Sequence, residues 1–177
     1  MKLLHRPVFP ALLAASCLAL TPLGAGTPEE NLAKLAQELP SPSTAVANYV
    51  PVVRSGSLLF LAGHIPRTAD NTVVTGKVGD TITEAEATEA ARLAGLALLS
   101  TVRAELGSLD RVKRIVRVSG FVNATPGFER HSFVINGCSD LLVAVFGEKG
   151  RHARSAIGAG SLPLNAAVEI ELVVEVD

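Results

Sequence analysis

The sequence predicts an α+β two-layer domain, a mixed β-sheet with two helices packed on one face. Three observations predict it. Thr83–Leu106 keeps helical spacing of small and apolar residues over a long run. Val168–Val176 opens with strict alternation, Val168, Ile170 and Leu172 against Glu169 and Glu171, as a strand requires. The element order is strand, strand, long helix, strand, second helix, strand, strand, which suits two helices laid on one sheet.

Taken from the start, residues 1–26 have the layout of an export signal. Lys2, His5 and Arg6 give a weakly positive start, Val8–Leu20 is mostly apolar, and Gly24, Ala25 and Gly26 are small. The apolar run is too short to span a bilayer. An exported, periplasmic protein is expected. The alternatives are lipid attachment at Cys17 and a cytoplasmic protein that keeps the segment.

Residues 27–45 read as a short helix and a linker. Thr27-Pro28-Glu29-Glu30 supplies a cap, a first-turn proline and early acids. Leu32, Leu35 and Leu39 recur on one face, and Pro40-Ser41-Pro42-Ser43 ends the run.

Residues 46–177 form the main domain. Val46–Val53 is a strand, placed at an edge by Pro51. After a turn at Arg54–Ser57, Leu58–Pro66 is a continuous apolar strand expected to be buried on both faces. Val73–Val78 reads as a short strand and turn. Thr83 and Glu86 form a capping box for the long helix, and Gly107 ends it. Val112–Asn123 is a strand, with Val112, Val116 and Val118 inward and Ile115 out of step. Its charges at 111, 113 and 117 fall on one face and Arg114 on the other. Phe128–Phe146 is the second helix, with Phe133, Val134, Leu141, Leu142, Val145 and Phe146 buried. Arg151–Asp177 reads as two strands joined by a turn at Ser161–Asn165.

Charge and composition narrow the function. Net charge is −1 and the pI is near 6.4, which provides no general pull on nucleic acid. The chain is 48% hydrophobic but 4% aromatic, with no Trp, so Leu, Val, Ile and Ala must build the core. Of the two cysteines, Cys138 lies in a predicted helix with no base beside it and reads as a buried residue. No metal-ligand spacing, phosphate-binding glycine loop or Gly-x-Ser-x-Gly elbow occurs, so neither a metal nor another cofactor is expected.

The residue that invites chemistry is Arg154. A guanidinium is always charged and presents a planar fork to a carboxylate. Set among Ala, Ser, Ile and Gly, it points at Glu169, Glu171 or the acid group of a ligand. The spacing alone does not choose between them. His64 reads as a base or as a satisfied strand-end histidine, and His131 and His152 as surface or helix residues.

Several stretches, in this order, resemble the RidA/YjgF family, also described as endoribonuclease L-PSP-like. Ala62-Gly63-His64-Ile65-Pro66 is similar to its Ser-Gly-Gln-Ile-Pro, and Arg111–Gly120 to its strand after the first helix. Ala153-Arg154-Ser155 is similar to its Ala-Arg-Ser, and Leu162-Pro163 with Val168-Glu169-Ile170-Glu171 to its close. Val46–Pro51, Val134–Gly137 and Gly150–Ala156 resemble a divergent YjgF/chorismate mutase-like branch.

The resemblance implies a chorismate mutase-like fold and a homotrimer whose inter-subunit clefts bind a small carboxylate-bearing metabolite. It implies hydrolysis of 2-imino acids to 2-keto acids and ammonia. Arg154 is similar to the arginine that clamps the substrate carboxylate, and Glu171 to the acid near the hydrolytic water. Tyr49, Gly63, His64 and Asn136 match positions lining the cleft. The chain departs at Ala156, where RidA members carry Cys, at Ala62 for Ser and at His64 for Gln. The carboxylate anchor thus persists while part of the wall differs. A non-catalytic trimer that binds a small carboxylate is the alternative.

Overall fold

A computed structural model describes residues 26–36, 38–42 and 48–177. The predicted export segment up to Ala25, Cys17 within it, and Val46 and Ala47 of the first predicted strand lie outside the described residues. The elements are α1 (Pro28–Lys34), β1 (Val52–Ser55), β2 (Leu58–His64), α2 (Glu84–Leu106), β3 (Val112–Asn123), α3 (His131–Phe146), β4 (Ala153–Ala159) and β5 (Val168–Val176). The sheet runs β1-β2-β5-β3-β4. Neighbours are antiparallel except β3 and β4, which are parallel. This is the mixed-sheet α+β fold expected.

Local signals set the helices. Thr83 caps α2: its hydroxyl accepts the Glu86 N–H at 3.2 Å, and its own N–H donates to Glu86 Oε2 at 2.9 Å. Gly107 closes the helix with φ +81°, a left-handed turn that favours glycine. Ala87, Ala90, Ala91 and Ala94 are all buried. Small residues there let α2 and α3 approach closely: a Cβ on Gly137 of α3 would overlap the Thr88 carbonyl oxygen of α2. Thr27 and Glu30 make the same capping box for α1, which is shorter than predicted and ends at Lys34.

The core lies between the helices and one face of the sheet. Leu59, Val118, Val122, Ile170, Leu172 and Val174 point into it, fully or almost fully buried. Bulges decide which side chains do so. In β2 the pairing shifts between Leu61 and His64, so Ala62 and Gly63 together stand against Glu171. One extra residue reverses the alternation beyond it. β3 carries two such shifts, between Val112 and Arg114 and between Ile115 and Arg117. They bring Val112, Ile115 and Val118 to the same inward face, which strict alternation forbids. Ile115 is therefore core, and Arg114 and Arg117 share the outer face.

Other expectations are corrected. β2 is not buried on both faces, since Phe60 is 45% exposed. Val73–Val78 forms isolated bridges rather than a strand. The second helix begins at His131, and Phe133 is 51% exposed, beneath the Arg130 guanidinium at 3.9 Å. Arg130 in turn pairs with Glu84 at 2.7 Å. The last two strands are joined by a turn, as the sequence reads, but they do not pair with each other. β3 lies between β4 and β5, which are joined through Leu164 and Asn165, both left-handed at φ 54° and 55°.

Candidate functional site

Arg154 is held from α3. Across the ladder it stands opposite buried Val118, so its side chain leaves the sheet on the helix face. There one terminal nitrogen, Nη1, donates to Asn136 Oδ1 at 2.8 Å and to Ser139 Oγ at 2.9 Å. Asn136 and Ser139 are three apart on α3 and so share a face. Nη1 carries two hydrogens, and both are used. Among the described residues none accepts from Nε or Nη2. That leaves open the edge of the fork that binds a carboxylate through two parallel bonds. Arg154 is exposed and pairs with neither Glu169 nor Glu171.

Behind Ser139 lies His152. Its Nε2 is 3.0 Å from Ser139 Oγ and its Nδ1 is 2.6 Å from the Gly150 carbonyl oxygen. Burial, together with the nearby Arg154 charge, lowers its pKa against the raising effect of the Gly150 bond. The floor beside Arg154 is Ala156, partly buried and on the same face of β4. Cys138, one residue from Ser139, is fully buried, and burial pushes its thiol up to about 12. At that value it is no nucleophile.

The carboxylates lie elsewhere. Glu171 stands opposite Ser119, which is opposite Ser155, so it leaves the sheet on the face away from the helices. Arg154 and Glu171 of one chain therefore lie on opposite faces and do not meet. The acid beside Gly63 is Glu169: a Cβ on Gly63 would overlap its Oε1. Glu169 is half-buried, and desolvation, reinforced by the Glu171 charge, raises its pKa. Tyr49 is 51% exposed, in the bend that leads to β1. The Pro51 carbonyl of that bend accepts the Ala62 N–H at 2.9 Å, which ties it next to Gly63.

His64 does not face a ligand. The β2 bulge turns it inward, 3% exposed, with Nδ1 2.8 Å from the Ala62 oxygen and Nε2 2.8 Å from Thr101 Oγ1. Burial lowers its pKa. Among the described residues no three His, Cys, Asp or Glu side chains gather to hold a metal ion.

Residues 29–176 match the family model described as "YjgF/chorismate mutase-like, putative endoribonuclease". The chain belongs to this family. Protein TCP17 of Trypanosoma cruzi is 42% identical over 156 residues, covering 88% of this chain and 98% of that protein. Among solved structures, the Agrobacterium tumefaciens protein Atu1372, of unknown function, is 43% identical with a TM-score of 0.78. It covers 85% of this chain and 94% of its own. A Shewanella oneidensis MR-1 protein, titled a "putative endoribonuclease", is 34% identical with a TM-score of 0.82. It covers 85% of this chain and all of its own.

Within this YjgF-family fold the side chains fall into two groups. Arg154, Asn136, Ser139, His152 and Ala156 sit between α3 and the β4 edge. Gly63 and Glu169 sit where β2 meets β5, next to the bend that carries Tyr49. Sequence reasoning missed Ser139 and His152, although His152 stands two residues before Arg154 and so suggests a shared edge of β4. It named Glu171, by resemblance, as the acid near the water; the acid that lies against Gly63 is Glu169. The signal that separates the two acids is the β2 bulge, which no residue pattern announces.

Proposed function

We propose that Arg154 anchors the carboxylate of a small metabolite and that the protein is a RidA-like deaminase hydrolysing 2-imino acids to 2-keto acids and ammonia. One observation carries the anchor: Nη1 of Arg154 is satisfied by Asn136 and Ser139, while the Nε–Nη2 edge has no acceptor among the described residues. A protonated imine is already electrophilic, so a fixed orientation and a positioned water suffice for hydrolysis. Glu169 suits the water better than Glu171. It is half-buried with a raised pKa, and an acid so tuned can exchange a proton closer to neutrality.

Such a site needs a second copy of the chain. Glu169 is on β5, two strands from β4, roughly 10 Å at ordinary strand spacing, and its side chain and that of Arg154 leave opposite faces of the sheet. A ligand held on Arg154 is thus out of reach of its own chain's Glu169. A neighbouring subunit would supply the acid, in keeping with a homotrimer whose clefts lie between chains. Val53, Phe60 and Ile157 stand exposed on the face away from the helices and offer it an apolar contact surface.

The second reading is a trimer that binds a carboxylate without turning it over. The Ala156 floor, in place of the Cys of RidA members, favours it. Export, read from residues 1–26, belongs to the same proposal and is checked by cell fractionation.

The test is a steady-state assay in which an amino-acid oxidase generates imine. Faster release of keto acid than by free hydrolysis supports the deaminase. A folded trimer with no rate gain, yet stabilised thermally by keto acids, supports the binder. Cleavage of single-stranded RNA, unaffected by Arg154→Ala, would replace both with the nuclease that the family description names.

A further inference from the structure

We propose that Ser139 and His152 are positioning residues for Arg154, a one-way hydrogen-bond chain that holds the guanidinium with its Nε–Nη2 edge open. The proposal deepens the reading of Arg154 as a carboxylate anchor and rests on it for its effect on binding.

The direction of the chain follows from donors and acceptors. The Gly150 carbonyl can only accept, so His152 Nδ1 carries the proton at that 2.6 Å contact. In the neutral ring Nε2 is then a bare acceptor, and the Ser139 hydroxyl, 3.0 Å away, must donate to it. With its hydrogen so directed, Ser139 Oγ turns its lone pairs to Arg154 Nη1 at 2.9 Å. Each link polarises the next in the same sense, from guanidinium to hydroxyl to imidazole to carbonyl. The lowered pKa of His152 agrees with a neutral ring.

The backbone is built for this. Gly150 is buried, and a Cβ there would overlap the Leu142 carbonyl oxygen of α3. Glycine lets the chain entering β4 press onto α3, which carries Ser139, while the Gly150 carbonyl meets the His152 ring locally, two residues along. Asn136 takes the second Nη1 hydrogen, so this nitrogen is fixed from two sides. An exposed arginine otherwise samples many rotamers, and ordering it on binding lowers affinity. A guanidinium fixed beforehand also favours a planar, two-oxygen acid over its amide, which has one acceptor oxygen.

The test is nitrogen-15 NMR on the full protein without ligand, followed by pyruvate titration. The His152 ring should carry its proton on Nδ1 near neutral pH. The Arg154 Nε–H should be ordered in the wild type, mobile in Ser139→Ala and His152→Phe, and ordered again in Ser139→Thr, which restores the hydroxyl. Pyruvate affinity should fall about 5- to 10-fold in the first two variants, as for one net hydrogen bond, with the unfolding midpoint little changed. A proton on Nε2, or an Arg154 equally ordered in Ser139→Ala, overturns the proposal. An ordered wild-type Arg154 that loosens in Ser139→Ala, in a protein that binds no pyruvate, removes the carboxylate reading and leaves the positioning role standing.

Discussion

Gly63 and Glu169 share one space: the carboxylate of Glu169 fills the volume that a side chain on Gly63 would need. The β2 bulge creates the arrangement by setting two residues, Ala62 and Gly63, against Glu171 alone. It sends His64 into the core and leaves bare backbone beside Glu169. The acid is partly stripped of water and sits near a like charge, and both effects favour its protonated form.

Glu171→Gln should lower the pKa of Glu169, since it removes the neighbouring charge and leaves the desolvation. Carboxyl NMR titration reads this directly. Because the folded-state pKa is raised, Glu169 contributes most favourably at low pH, and its contribution falls as pH rises through that pKa. Glu169→Gln should therefore flatten the decline of stability with rising pH. In an imine assay Glu169→Gln should lose the rate gain and Glu171→Gln should keep most of it. The reverse order would return the role to Glu171.

Arg154→Ala should abolish stabilisation by keto acids. Arg154→Lys should recover little, because an ammonium keeps the charge but not the two-pronged geometry. Arg154 is exposed in a single chain, so a loss of about 1.5–3 kcal/mol is expected, roughly ten- to a hundred-fold in affinity. Calorimetric titration with pyruvate measures it. Equal binding by Arg154→Ala would place the ligand elsewhere.

The fold was legible because its signals are local. Thr83 and Glu86 announce the start of α2, Gly107 its end, and the Val–Glu alternation marks β5. The faces of β2 and β3 were not legible, because a bulge reverses parity without any residue that must mark it. That is why Ile115 read as out of step; His64 was placed in the cleft by resemblance, and of its two readings from the residues, base or satisfied strand-end histidine, the second holds. Phe133 read as core on periodicity alone, but Arg130 covers its ring at the surface. Arg154 stood out as the one charge in a small-residue strand. Asn136 was reached only through the family resemblance and Ser139 not at all, since both meet Arg154 only through the packing of α3 on β4.

Thr101→Val should cost about 1–3 kcal/mol, because it leaves His64 Nε2 buried without its partner. His64 also sets a pH dependence. Burial holds its folded-state pKa below the ordinary 6.5, so the unfolded chain takes up a proton first. Its contribution is complete above that value and is lost as pH falls below it. Urea unfolding at pH 7.5 and 5.5 should show a larger loss in the wild type than in His64→Gln. Equal losses would mean that this ring does not titrate with unfolding.

Gly137→Ala separates helix propensity from packing. Alanine is better than glycine inside a helix by about 1 kcal/mol, so on propensity alone the change should stabilise α3. The new methyl would instead overlap the Thr88 carbonyl oxygen and approach Arg92 N to 3.2 Å, both backbone atoms of α2. Backbone cannot swing aside as a flexible side chain can, so the helices must part. Overpacking of this kind costs about 1–3 kcal/mol, occasionally more, which outweighs the gain. The unfolding midpoint should fall. Asn136, next in the chain, should shift with α3, so pyruvate affinity should drop as well. A stabilised variant would mean that the helices separate at little cost and that Gly137 does not fix their spacing.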